Sequence, residues 1–138
     1  MMQYRHGQSL LGFGCMRFPR KGNGFDMEEV RREISHAHKQ GVNYFDTAYI
    51  YPGSEEALGQ VIEDLGIRTD IRIATKLPHY MMKDPSEMEK HFREQLVRLK
   101  TDYVDNYLMH MLPDTDIWNT LVKRGAVEWL EGKKASGQ

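Results

Sequence analysis

The chain has 138 residues, enough for one globular domain with an ordinary buried core, and we expect a single domain over residues 1–138. Its formal net charge is −1 and 28% of its residues are charged. This balance argues against nucleic acid or a membrane surface as a partner, because both select strongly basic proteins.

Strand-like and helix-like segments alternate along the chain. In the first half we predict a strand over 10–16, a loop over 18–24, a helix from the cap Asp26 to Gly41, a strand over 42–45, and a helix from the cap Ser54 to Gly66. In the second half we predict a strand over 71–74, a helix from 84–86 through Leu99, a strand over 103–108, a helix through Ile117 and Leu130 that breaks at Gly125, and a polar, frayed end over 132–138.

This order of elements predicts an α/β fold. Four consecutive strand-then-helix units require parallel strands joined by right-handed crossovers. Short strands between amphipathic helices are typical of an α/β barrel or an open α/β sheet.

The cysteine content, the N-terminal residues and the length of the apolar runs indicate the compartment, which we expect to be a reducing one. A lone cysteine, Cys15, cannot form an internal disulfide, and we expect it to be a packed core thiol. The first six residues lack the apolar core of a signal peptide. No run of about 18 apolar residues is present, so we expect no transmembrane helix and a cytoplasmic location.

Three of the predicted strands end in ionisable or proton-donating side chains. Asp46 and Tyr51 follow the second strand, Lys76 follows the third, and His110 follows the fourth. Because the carboxyl ends of parallel strands share one rim, we expect these four side chains to converge on one site.

The four residue types have complementary roles in protonating a carbonyl oxygen. A free phenol ionises near pH 10 and is a weak acid, but a neighbouring cation favours the phenolate and makes the phenol a better donor. Lys76 can be that cation for Tyr51, and Asp46 can hold it in place. His110 can donate a hydrogen bond that orients the carbonyl oxygen.

The same residues form a pattern that resembles the aldo-keto reductases. The pattern consists of DTAYIY at 46–51, GSE at 53–55, TK at 75–76 and LMH at 108–110. The resemblance covers residues 8–138 and implies a TIM barrel that reduces a small aldehyde or ketone with NADPH or NADH. It assigns Tyr51 as proton donor, Lys76 as the cation that tunes it, Asp46 as the lysine's partner and His110 as the orienting residue. The segments GFGCMRFP at 12–19 and ATKLP at 74–78 look most like a bacterial branch that often carries a C-terminal iron–sulfur segment.

The chain is shorter than the family's fold. A TIM barrel has eight units and about 250 residues, and this chain supplies four units. We therefore expect the N-terminal half of a (β/α)8 barrel, truncated relative to a full reductase. The family takes most of its cofactor contacts from later units, so we expect this chain to be incomplete alone and leave its cofactor-binding residues unassigned.

An open half-barrel leaves its outer strands unpaired. We expect both faces of its sheet to be apolar, so the open half also exposes core surface. We therefore expect self-association or pairing with a second half. The alternatives are a non-catalytic half-barrel module, a fragment, or an electron-transfer accessory to an iron–sulfur partner.

Other motifs have weaker interpretations. Gly12 and Gly14 fit close strand packing better than a dinucleotide-binding loop, because no helix follows at once. His36 and His38 lie on different faces of one helix, so we predict no metal site. The methionines at 81–82, 109 and 111 either line an apolar substrate pocket or fill the core and loops, and His79 either borders the substrate mouth or is a loop residue.

Overall fold

The computed structural model describes residues 2–138 and is built around one parallel sheet. The strands in chain order are Tyr4–Arg5 (β1), Gln8–Ser9 (β2), Phe13–Gly14 (β3), Arg20–Lys21 (β4), Gly24–Phe25 (β5), Tyr44–Asp46 (β6), Arg72–Leu77 (β7) and Asn106–Met109 (β8). The helices are Met27–Lys39 (α1), Ser54–Leu65 (α2), Glu87–Leu99 (α3), Thr115–Lys123 (α4) and Ala126–Ser136 (α5). The parallel sheet has the order β3-β6-β7-β8, while β1-β2 and β4-β5 are separate antiparallel pairs.

The four predicted strand-then-helix units are present, with differences at both ends of the chain. The first sheet strand is only β3, because Leu10 and Leu11 are exposed and do not enter the sheet. The predicted loop at 18–24 is mostly the β4-β5 pair, which extends one residue beyond it to Phe25 and has Gly22 at φ 61° in its turn. Residues 132–136, predicted to fray, continue α5 to Ser136.

Helix boundaries follow local capping chemistry in most cases. The Asp26 side chain accepts a hydrogen bond from the Glu29 backbone amide, as an N-cap should. Gly125, at φ 83°, separates α4 from α5 as predicted. The prediction for Ser54 is wrong: the N-cap of α2 is Gly53, and the Ser54 hydroxyl donates instead to the Cys15 carbonyl at 2.8 Å.

The two faces of the sheet differ in composition. Phe45 and Ile73 are fully buried against the helices, and Tyr107 packs beside them on the same face. Alternation along the strands assigns the opposite face to residues Gly14, Tyr44, Asp46, Arg72, Ala74, Lys76, Asn106 and Leu108. The expectation of two apolar faces is therefore wrong, because the second face carries ionisable and amide groups. Within this sheet, β3 and β8 are the outer strands.

Two absences hold for residues 2–138. None of the helices there has the length and apolar composition needed to cross a membrane. In the same residues, histidine, cysteine and carboxylate side chains form no cluster of three or more that could hold a metal ion.

Candidate active site

Lys76 and Asp46 form an ion pair on the face of the sheet that the helices do not cover. The Lys76 ammonium donates hydrogen bonds of 2.6 Å to Asp46 Oδ1 and of 2.6 Å to the Thr47 carbonyl. Register explains the contact, since Asp46 lies opposite Ala74 and two residues separate Ala74 from Lys76 on that face. The Lys76 side chain is 12% exposed, so water screens this pair less than it screens a surface pair.

Tyr51 lies in the turn between β6 and α2. Its backbone amide donates to the Ala48 carbonyl at 3.0 Å, and its carbonyl accepts from the Ser54 amide at 3.0 Å. The Lys76 Nζ atom is 5.2 Å from the centre of the Tyr51 ring. The His110 ring meets the Tyr51 ring edge to face, with 5.7 Å between their centres. The phenol ring is thus close to both the ammonium and the imidazole.

His110 follows β8 directly, and its backbone amide donates to the Leu77 carbonyl at 3.0 Å. It is buried, and its Nδ1 atom has no hydrogen-bond partner among the described residues. Burial lowers the pKa of His110 below its usual 6.5; the Lys76 and His79 charges lower it further, and Asp46 opposes them. The imidazole is therefore neutral at neutral pH and carries one N–H donor. The fold brings all four predicted side chains to one rim.

The titration of His110 can test this charge arrangement without any substrate. We expect Lys76→Met to raise the pKa of His110, because the imidazolium then loses a repelling cation and keeps the attraction of Asp46. Asp46→Asn should lower it, because the attracting carboxylate is removed. The measurement is an NMR titration of the histidine ring protons, with the exposed Lys39→Met in α1 as control. A His110 curve that is the same in wild type and Lys76→Met would contradict the arrangement.

A cavity of about 530 Å³ lies beside this rim. It is lined in part by His79, Tyr80, Met82, Met111, Ile117 and Leu121. The Tyr80 ring centre is 6.2 Å from that of His110, so the cavity adjoins the site. Met82 and Met111 thus match the pocket interpretation. Met109 instead packs against a group of buried side chains that also includes Met82, namely Leu77, Met82, Met88, Leu121 and Ala126. Met111 has a left-handed backbone at φ 52°, a conformation that few non-glycine residues adopt.

Sequence reasoning missed a group of buried polar residues behind the site. Glu55, Thr75 and Gln95 are at most 1% exposed, and their side chains are hydrogen-bonded to one another. In the sequence, Glu55 stands out only as part of the GSE motif at 53–55, directly after the predicted cap Ser54. Its spacing from Leu58 and Ile62 places it on the buried stripe of α2, and that spacing was the available signal.

The chain is similar to known proteins of one family over most of its length. The sequence profile described as "Aldo/keto reductase family" matches residues 10–137. Aldo-keto reductase str7 of Strobilurus tenacellus is 34% identical over 143 aligned positions, covering 90% of this chain and 43% of that protein. A putative aldo-keto reductase from Pseudomonas aeruginosa superimposes with a TM-score of 0.78 at 28% identity, covering 94% of this chain and 51% of that one.

A third relative bears on the cofactor. An aldo-keto reductase from Klebsiella pneumoniae, solved in complex with NADPH, superimposes with a TM-score of 0.73 at 27% identity. The superposition covers 91% of this chain and 41% of the Klebsiella pneumoniae protein. The chain spans about half the length, or less, of these relatives. The profile match, the sequence identity and the shared TIM-barrel-type α/β architecture establish that this chain belongs to the aldo/keto reductase family.

Proposed function

We propose that the protein carrying this chain reduces an aldehyde or ketone to the alcohol with NADPH or NADH, or catalyses the reverse oxidation. The observation that carries the proposal is the convergence of Tyr51, Lys76, Asp46 and His110 on one rim of the sheet. Family membership supports the same reaction class. The narrower assignment to the iron–sulfur branch, and a cytoplasmic location, stay predictions.

In this proposal Tyr51 donates the proton that the carbonyl oxygen takes up as it becomes an alcohol. The Lys76 ammonium stabilises the phenolate that remains, because it is held near the ring and is shielded from water. Asp46 and the Thr47 carbonyl fix the position of the ammonium. The neutral His110 donates a hydrogen bond to the same carbonyl oxygen and orients it.

The residues at the rim fit a nicotinamide cofactor that would bind next to the carbonyl of the substrate. The donors at the rim deliver a proton and no electrons, so the chemistry needs a hydride, which a bound NADPH or NADH supplies. Gly14 lies opposite Asp46 in the register, and a Cβ added there would meet nothing within 4 Å. We propose that the segment from Gly14 to Arg17 borders the cofactor, with its other contacts in later units of a full barrel.

The cavity beside the rim supports a small carbonyl substrate with an apolar substituent. Its lining of Tyr80, Met82, Met111 and Leu121 offers largely apolar contact next to His110. Flexible methionine side chains adapt to irregular shapes, which favours a range of substituents over a single one.

We propose further that the chain corresponds to the first four units of a (β/α)8 barrel and acts when completed. The polar face of the sheet would then line a barrel interior, and β3 and β8 would pair with further strands. The partner is a second copy of this chain or a C-terminal half. The competing candidate is a non-catalytic half-barrel module that keeps the rim residues and binds no cofactor.

Titration of NADPH and NADH into the purified chain, followed by nicotinamide fluorescence, separates these candidates. If self-association completes the site, we expect saturable binding, turnover of a small aldehyde, and a sedimentation coefficient above that of the 16.1 kDa monomer. If a C-terminal half is needed, binding and turnover should appear only after that half is added. A stable monomer that binds no cofactor at millimolar concentration, with or without that half, would refute the enzymatic proposal and favour the module.

A further inference from the structure

A buried polar network lies behind the candidate site, on the helix side of the sheet. Its centre is Gln95 of α3, which is completely buried. The Gln95 Nε2 atom is 2.8 Å from Glu55 Oε1, 2.8 Å from Thr75 Oγ1 and 3.1 Å from the Lys76 carbonyl. Its Oε1 atom accepts a 2.7 Å hydrogen bond from the Tyr107 hydroxyl. Every polar atom of this amide therefore has a partner, as a buried amide requires.

The network reaches the candidate site through the backbone of β7. Thr75 and Lys76 are neighbours, so their side chains point to opposite faces of the sheet. The Thr75 hydroxyl donates to Glu55 at 2.6 Å on the helix side, while the Lys76 ammonium binds Asp46 on the other side. Because Gln95 donates to the Lys76 carbonyl itself, α3 holds the residue whose ammonium faces Tyr51.

Arg98, one turn further along α3, extends the network to the turn that carries Tyr51. Its Nη1 atom donates to Glu55 Oε2 at 3.3 Å and to the Tyr49 carbonyl at 3.4 Å. Its guanidinium also stacks on the Tyr49 ring, 4.3 Å from the ring centre. Tyr49 is two residues before Tyr51, so one face of α3 holds both the strand of Lys76 and the turn of Tyr51.

The Glu55 carboxylate connects the contacts of Gln95 with those of Arg98, because it accepts hydrogen bonds from both. Burial raises the pKa of the Glu55 carboxyl, and hydrogen bonds from Thr75, Gln95 and Arg98 oppose that rise. A carboxylate at this depth is costly unless it is paired and hydrogen-bonded. Three donors, each from a different position behind the site, are arranged on a single buried carboxylate.

We propose that Gln95 and Arg98, joined through Glu55, are positioning residues that set the distance between the Lys76 ammonium and the Tyr51 phenol. Neither residue touches the substrate in this proposal. The role rests on the proposed carbonyl chemistry, and the contacts themselves are independent of it.

The first test is Gln95→Met, which keeps the length of the side chain and removes all of its hydrogen bonds. We expect the Lys76 ammonium to move from its place, so that its effect on the imidazole weakens and the pKa of His110 rises, as in Lys76→Met. In the assembly that shows turnover, kcat should fall by up to about 10²-fold with KM unchanged, because a displacement of about 1 Å can cost that much.

The matched control is Ile34→Val in α1. Ile34 is fully buried in the same core and its side chain has no polar atom that could bond to the network, so the variant loses packing and keeps every hydrogen bond of Gln95. It should lower the free energy of unfolding, as Gln95→Met does, yet leave the His110 titration and kcat unchanged. Equal effects of the two variants on the His110 titration and on kcat, or no effect of Gln95→Met on either, would overturn the proposal and leave the network with a role in stability alone.

Arg98→Met tests the contact between α3 and the turn that carries Tyr51. It also replaces Gln95→Met as the test variant if Gln95→Met does not fold. Arg98 is partly exposed, so this change is tolerated more easily than one at Gln95. We expect kcat to fall with KM unchanged, whereas an unchanged kcat would overturn the positioning role proposed for Arg98. The two proposals fail differently: if Tyr51→Phe keeps the rate of the wild type, the carbonyl chemistry is wrong, while the His110 titration still reports whether Gln95 positions Lys76.

Discussion

Replacing Tyr51 with phenylalanine should abolish carbonyl reduction and leave the fold intact. The variant lacks the hydroxyl that donates the proton in the proposed reaction, and loss of general acid catalysis costs about 10²- to 10⁴-fold in rate. The observed contacts of Tyr51 with Lys76 and His110 are made by the ring, which phenylalanine retains. Turnover of a small aldehyde with NADPH in the catalytically competent assembly is the measurement, together with a urea unfolding curve.

The control for this experiment is Tyr103→Phe. Tyr103 precedes β8, at the opposite end of the sheet from the rim, and its ring is stacked under the Arg68 guanidinium at 3.8 Å. That variant should keep both its activity and its stability. If Tyr51→Phe turns over substrate at the rate of the wild type, Tyr51 is not the proton donor, and the catalytic assignment of the rim fails with it.

Gly59→Ala should be among the most destabilising single changes in the chain. Gly59 lies in α2 where that helix crosses α3, and a Cβ there would be 2.5 Å from the Arg98 carbonyl oxygen and 2.6 Å from the Leu99 carbonyl carbon. Both are backbone atoms, so no side chain can rotate away to make room. We expect the free energy of unfolding to fall by about 3 kcal/mol, at the upper end for an overpacked core. Urea denaturation followed by circular dichroism measures it.

The matched control is Gly132→Ala in α5. A Cβ at Gly132 would meet nothing within 4 Å, and its backbone is helical. Alanine is the better helix former, so this variant should gain about 0.5–1 kcal/mol. Gly59→Ala with a urea midpoint equal to that of the wild type would show that α2 and α3 can separate at low cost, contrary to the close crossing described above.

The spacing of apolar runs was sufficient to predict the parallel order of strands and helices. It also located the carboxyl ends of the strands, and therefore the segments that carry Asp46, Lys76 and His110. Boundaries were predicted less well, as at the first strand, where Leu10 and Leu11 are apolar but exposed. An apolar run indicates only that its side chains can be buried. Whether the run enters the sheet depends on the conformation of the neighbouring backbone.

The network behind the site could not be predicted from local patterns. Glu55 and Ser54 follow a turn and look like the exposed cap and first turn of a helix, yet both are fully buried. Their partners are distant in sequence: Ser54 binds the Cys15 carbonyl, and Glu55 binds Gln95 across 40 residues. Such contacts depend on how two helices and a sheet pack, which capping rules do not include.

The sequence by itself determined the α/β order, the four rim residues and their family resemblance, because each is encoded in short runs or in motifs of fixed spacing. Only the tertiary structure decided that Lys76 meets Asp46 at 2.6 Å and that burial and a nearby cation keep His110 neutral. It alone also showed that α3 reaches both the strand of Lys76 and the turn of Tyr51. The physical reason is that strand register and helix crossing set distances between residues far apart in the chain, and these distances set the electrostatic environment of the site.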